Sequence, residues 1–136
     1  MEKITIASAM ILNDKNEILL VRKQGSIFFQ LPGGKIKSNE TFFQTLQREL
    51  LEEINLDIKE NNCIFLGNHQ TEAVNEKNTI VIGNLFEVVN TNLDKIQNQN
   101  EIEEMAWLNK SNYKNYKWAH LAEEFILPIW LKRLIQ

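Results

Sequence analysis

At 136 residues, with 43% hydrophobic and 24% charged side chains, the chain suits one globular domain with one core, residues 1–136. A formal net charge of −3 argues against a nucleic-acid-coating surface, which is ordinarily basic, so no stable nucleic-acid partner is expected. No apolar run reaches the length of a membrane span, and a single cysteine, Cys63, excludes an internal disulfide and fits a reducing compartment. The start, MEKITIASAMILN, lacks a basic leader followed by a cleavable apolar segment, and a cytoplasmic location without membrane contact is expected.

In chain order, Lys3–Asn13 and Glu17–Gln24 are β-rich runs flanking the turn-prone Asp14-Lys15-Asn16, which predicts a hairpin. Residues 25–34, GSIFFQLPGG, read as a loop with two aromatics and the chain's Gly-Gly pair. Phe42–Ile54 reads as a helix, and Thr41 followed by Gln44 predicts a capping box at its start. Cys63–Thr71 and Asn78–Asn90 read as strands joined by a turn around Asn75-Glu76-Lys77. Thr91–Asn100 is polar and loop-like, Glu103–Leu108 is a short strand, and Leu121–Ile135 is an amphipathic helix kinked or interrupted at Pro128. Strands, helix, strands, helix make one mixed α/β domain with helices packed on the sheet.

The first helix carries an unusual density of carboxylates. At 100° per residue, Phe43, Leu46, Leu50 and Ile54 fall within about 80° of one another, and this stripe faces the sheet. Glu49, Glu52 and Glu53 fill an arc of about 100° directly beside the stripe rather than opposite it. Like charges at that spacing destabilise a helix by a few tenths of a kcal/mol per pair. A solvated acidic face tolerates this; at the margin of a core, a divalent cation removes it. Oxygen ligands of this kind suit Mg²⁺ or Mn²⁺.

Gly34, Glu40, Arg48-Glu49-Leu50, Glu52-Glu53 and Leu56 follow the spacing G-x5-E-x7-R-E-U-x-E-E-x-G-U, where U is a bulky aliphatic. This resembles the Nudix box of the Nudix hydrolase family, with Asn55 in place of the last glycine. Asparagine is the next-best residue for a left-handed helix end, so the departure touches local stability more than chemistry. The flanking LPGGK, from Leu31 to Lys35, and EIEEMAW, from Glu101 to Trp107, also look like the family, as does the order of elements. The resemblance implies a mixed β-sheet sandwiched between α-helices and a Mg²⁺-dependent hydrolysis, with Mn²⁺ as a substitute, of a nucleoside diphosphate linked to another moiety.

The resemblance further implies that Glu49, Glu52 and Glu53 bind metal, that the Gly34 carbonyl is placed as a ligand, and that Glu40 and Arg48 form the motif's structural pair. Arg48, one turn before Glu52, is suited to hold a carboxylate while limiting repulsion. Glu101 lies in a loop where relatives often supply a further glutamate as metal ligand or general base; its neighbours Glu103 and Glu104 compete for that role. Arg22 and Lys23 end a strand leading towards the Gly-Gly loop, and with Lys35 they are candidates to meet substrate phosphates. Phe28, Phe29 and Gln30 are candidates to stack on and hydrogen-bond a base, with closure of the core as the alternative for a phenylalanine. His69 and His120 lack a partner pattern for nucleophilic catalysis or zinc.

The expected activity is a pyrophosphohydrolase acting on a nucleoside di- or triphosphate or a related derivative, a small-molecule substrate. Dinucleoside polyphosphates, ADP-ribose or RNA 5′ ends are the alternatives within the class. A noncatalytic nucleotide sensor would be expected to have lost box glutamates, and isomerisation of an isoprenoid diphosphate would call for a loop cysteine, whereas Cys63 lies in an expected strand.

Overall fold

The computed structural model describes residues 1–135. Its strands are β1 (Glu2–Ile11), β2 (Ile18–Lys23), β3 (Gly33–Lys35), β4 (Cys63–Glu72), β5 (Thr79–Val88) and β6 (Ile102–Leu108), and its helices are α1 (Phe42–Ile54) and α2 (Leu127–Leu134). A mixed sheet has the order β3-β1-β5-β4, and β2 pairs with β6 in a second, two-stranded sheet. β1 runs parallel to β5, from Glu2 opposite Thr79 to Ile11 opposite Val88, and antiparallel to β3.

The alternation of β1 and β2 sends side chains to two apolar layers, as period-2 geometry requires. Ala7, Ala9, Ile11, Leu19 and Val21 face Leu46, Leu50 and Ile54 of α1. Met10, Ile18 and Leu20 face the other side, against Leu121, Ile126 and Trp130 of the C-terminal helical region. The strands are thus sandwiched between helices, in keeping with the sequence expectation. Among the described residues no helix is long and apolar enough to cross a membrane.

Three local readings need correction. The first two strands turn back on each other, with Asn13 Oδ1 accepting from the backbone N–H groups of Lys15 and Glu17, but only the Leu12–Ile18 bridge joins them. Both edges of β1 are taken by β3 and β5, so β2 finds its ladder on β6 instead. Residues 33–35, expected as loop, form β3, because Gly33 packs where a Cβ would strike Ser8. The interruption of the last helix precedes Pro128: Ala122–Ile126 is a π-helical turn, closed by Leu127 N–H donating to the Ala122 carbonyl. Pro128, in the first turn of α2, has no N–H to give and its ring crowds the carbonyl four residues back in a regular α-helix, and the π turn stands immediately before it. Trp130, fully buried, donates from Nε1 to the Asn16 carbonyl at 2.8 Å and ties α2 to the β1–β2 turn.

Every non-glycine residue of positive φ among the described residues is an asparagine: Asn16, Asn39, Asn55, Asn78, Asn90 and Asn100. Asn55 ends α1 in the left-handed conformation (φ 58°, ψ 37°), as its place in the motif implies.

Candidate active site

Helix α1 is fixed at both ends by its own sequence. At the start, Gln44 N–H donates to Thr41 Oγ1 at 3.1 Å and Thr41 N–H donates to Gln44 Oε1 at 2.9 Å, the reciprocal box expected. Glu40, just before it, accepts from Lys37 N–H, Thr45 Oγ1, and Arg48 Nε (2.7 Å) and Nη2 (2.9 Å). With Arg48 as the main cause, the Glu40 carboxyl is drawn down to about 2. Arg48 also donates to the Lys35 carbonyl at 3.1 Å and to Glu49 Oε1 at 3.1 Å, and comes within 4.0 Å of Glu52. One guanidinium therefore pins the loop after β3 to two glutamates of the motif.

The three helical glutamates grade from core to solvent. Glu53, 2% exposed, accepts from Gly33 N–H at 3.0 Å through Oε1, while its buried Oε2 has no partner. Burial pushes this carboxyl up to about 8, against the pull of the Gly33 N–H and Lys23. The Glu49 side chain, 13% exposed, lies against Gly34, where a Cβ would collide with its carboxylate. Burial raises its pKa despite Arg48 alongside. The Glu52 side chain is 54% exposed and turned outward. Among the described residues no three His, Cys, Asp or Glu side chains already stand gathered as a metal cage, so the expected convergence of all three glutamates is not preformed.

The residues nevertheless fit a hard divalent cation. A fully dehydrated carboxylate oxygen without a donor is destabilising unless protonated or met by positive charge. Its neighbour Glu49, a second carboxylate of raised pKa, lies against the Gly34 backbone at a glycine's width. All the donors are oxygens, the set Mg²⁺ and Mn²⁺ prefer.

A cleft of about 840 Å³ opens over this corner. Its lining carries Lys23, Gly33, Gly34, Lys35, Arg48, Glu49 and Glu101 together with the apolar Ile4, Ile6, Val81 and Leu121, and Ile6 stands opposite Lys35 in the β1–β3 ladder. Glu101 approaches Lys23 Nζ at 3.7 Å and adds to the charge that raises Glu53. Glu103 and Glu104 are exposed on β6 outside the cleft wall, and Glu104 pairs with Arg22 at 3.3 Å.

Of the expected substrate contacts, Lys23, Gln30 and Lys35 line the cleft. Arg22 does not, because Ser26 O and Glu104 occupy its guanidinium. Phe29 is buried edge-on against Tyr116 at 4.9 Å and closes the core. Phe28 lies behind the wall, under Lys117 Nζ at 4.9 Å and beside the His120 ring. Sequence reading missed Ser8, Gln24, Asn75, Glu76 and His120, all on the cleft wall. A buried serine in an apolar strand was the one available signal. Asn75 and Glu76 arrive on the β4–β5 turn, where Ser26 Oγ donates to Asn75 Oδ1 at 3.2 Å and Lys35 meets Glu76 at 3.8 Å, while Gln24 follows β2 and His120 precedes the final helical region. His69 lies elsewhere, bonded to Glu124 at 2.8 Å.

A helix and a Gly-Gly strand that hold dehydrated carboxylates beside a cleft lined by both lysines and glutamates define this corner of the α/β domain. The family model described as a NUDIX domain matches residues 2–127, and the chain belongs to the Nudix hydrolase family. It is 36% identical over 70 residues to an 8-oxo-dGTP diphosphatase of Proteus vulgaris, covering 48% of this chain and 60% of that one. It is 33% identical over 60 residues to an RNA pyrophosphohydrolase of Pasteurella multocida, covering 44% of this chain and 30% of that one. The chain thus matches between 30% and 60% of the length of its curated relatives. Its fold is that of the Escherichia coli ORF135 protein in solution (TM-score 0.76, 23% identity, 100% of this chain and 94% of that one). The MutT protein of Methanosarcina mazei Go1 is comparably similar (TM-score 0.75, 21% identity, 99% and 97% covered).

Proposed function

We propose that the protein is a Mg²⁺-dependent pyrophosphohydrolase that cleaves a phosphoric anhydride bond in a nucleoside di- or triphosphate or a related nucleoside diphosphate derivative. The observation that carries this reading is the buried Glu53 carboxylate, one oxygen tied to the N–H of Gly33, which lines the cleft, and the other without a partner. Glu49, Glu52, Glu53, the Gly34 carbonyl and Glu101 are the groups that would hold the ion, with Mn²⁺ as a substitute. When bound, the ion supplies charge neutralisation of the diphosphate and a lowered pKa for an attacking water.

The chain's own side chains supply the rest. Arg48 ties Glu49 to the last residue of β3 through the Lys35 carbonyl. Lys23 and Lys35, both lining the cleft, offer ammonium donors to phosphate oxygens. Ile4, Ile6, Val81 and Leu121 give the cleft apolar lining for a base, and Gln30, also on the lining, a hydrogen-bonding amide. Relatives named as 8-oxo-dGTP diphosphatase and RNA pyrophosphohydrolase support anhydride cleavage as the reaction class. The net charge of −3 favours free nucleotides over RNA ends.

A hydrolysis screen with Mg²⁺, with Mn²⁺ and with chelator tests this. The panel holds nucleoside triphosphates and diphosphates, oxidised nucleotides, ADP-ribose, dinucleoside polyphosphates and a 5′-triphosphorylated oligonucleotide, with products identified. Metal-dependent release of pyrophosphate or phosphate from a nucleotide is expected. Absence of turnover on every substrate, with nucleotide still bound, would leave a binding module instead.

A further inference from the structure

The carboxyl end of α1 presents an accounting problem. The last carbonyls of a helix lack internal partners, and their partial negative charge is usually met by Lys or Arg. The last turn of α1 has no basic residue, although it carries Glu52 and Glu53. The loop before β6 resolves this with neutral amides. Gln99 Nε2 donates to the Leu51 carbonyl at 2.9 Å and the Glu52 carbonyl at 3.1 Å, and Asn100 Nδ2 donates to the Glu52 carbonyl at 2.7 Å. Gln99 N–H donates to the Glu53 carbonyl at 2.9 Å, and Gln97 N–H to the Ile54 carbonyl at 3.1 Å. Asn55 and Leu56 N–H groups take the Leu50 carbonyl. Every carbonyl from Leu50 to Ile54 is thereby satisfied. A lysine or arginine here would meet the same carbonyls but would also pair with Glu52 or Glu53 and oppose a cation.

The residue after this clasp is Glu101. Asn100 adopts φ 53°, which turns the chain away from α1, and Glu101 O accepts from Gln24 N–H at 2.9 Å at the end of β2. Glu101 is therefore held between the α1 terminus and the end of β2, and its exposed side chain lies 3.7 Å from Lys23 Nζ. From the side-chain bonds of Gln99 and Asn100 to the α1 terminus, immediately before Glu101, we propose that these two are positioning residues that set the Glu101 carboxylate relative to the α1 glutamates for turnover. This rests on the hydrolase reading above, in which Glu101 takes part.

A double-mutant cycle in the full-length enzyme tests it, using Asn100→Gly, Gln99→Ala and Glu101→Gln at saturating Mg²⁺. Glycine keeps the left-handed backbone and removes only the amide. Misplacement by about 1 Å can reduce turnover some 10²-fold, so Asn100→Gly and Gln99→Ala should each lower kcat about ten- to a hundredfold with KM little changed. In the Glu101→Gln background they should have no further effect, because nothing remains to be positioned. Asn62→Ala, which removes a side-chain bond to the Asn90 carbonyl in another loop, should lower the melting temperature without lowering kcat. Full kcat in the clasp variants, or equal losses in both backgrounds, would overturn the positioning role while leaving Glu101 in place. Full kcat in Glu101→Gln would overturn the participation of Glu101 and the positioning role with it.

Discussion

Glu53 should make the metal-free protein lose stability as pH rises, contrary to the behaviour of an ordinary paired carboxylate. Its folded pKa lies near 8, above the ordinary value of 4.5, so between those limits the native state holds a proton that the unfolded chain has released. By linkage, stability is greatest below the unfolded pKa and falls as pH rises through the window, levelling off above about 8. One proton corresponds to about 1.4 kcal/mol per pH unit, so moving from pH 5.5 to 7.5 should remove about 3 kcal/mol through this one group. The assay is urea unfolding in chelator at several pH values from 5.5 to 8.5, repeated with Glu53→Gln and with Mg²⁺. The wild-type slope should exceed that of the variant by most of one proton, and the glutamine protein should be the more stable of the two at pH 8. Mg²⁺ should flatten the wild-type slope and leave the variant's nearly unchanged. Identical slopes for the two proteins in chelator would refute the assignment of a dehydrated, proton-retaining carboxyl to this position.

Asn55→Val should destabilise by roughly 2 kcal/mol, from left-handed strain together with loss of the Asn55 Nδ2 bond to the Lys95 carbonyl; Asn55→Gly loses only that bond and should be milder by thermal melts. Glu40, its carboxyl held near 2, contributes stability that is present above about pH 4.5 and is lost as pH falls towards 2; its carboxyl carbon resonance should titrate below pH 3, and a midpoint near 4.5 would contradict the Arg48 clamp. Gly34→Ala should keep the fold, by circular dichroism, but displace Glu49 and lower turnover at least about tenfold, whereas wild-type turnover would mean that the close approach is immaterial.

Much of the α1 corner was legible because helical geometry is local. Angular distance from the Leu46–Leu50–Ile54 stripe orders the glutamates as Glu53, Glu49, Glu52, which is also their order of burial. Thr41, Gln44 and Asn55 likewise carry their cap chemistry in their own side chains. Strand partnership was harder, since the apolar alternation of β1 specifies faces but not which strand takes each edge. β3 is three residues of low strand propensity, defined by its partner. Arg22 and Phe28 misled because their competing partners, Glu104 and Lys117, lie far along the chain. The same distance hid Asn75 and His120, which the β4–β5 turn and the approach to the final helix carry to the cleft.

The six left-handed asparagines imply a direction to the substitutions this chain can accept. A glycine at Asn16, Asn39 or Asn78 would fit the folded backbone while giving the unfolded chain more freedom, a modest loss of stability. The reverse exchange is closed at Gly33, Gly34 and Gly83, where a Cβ would strike Ser8, Glu49 and Leu121 respectively. Asparagine thus bends the chain at six turns, and Gly25 does so where a Cβ would meet nothing, whereas Gly33, Gly34 and Gly83 stand where backbone and neighbour nearly touch. Full codon randomisation should therefore recover asparagine-to-glycine exchanges at the turns, and almost none in the opposite sense at Gly33 and Gly34.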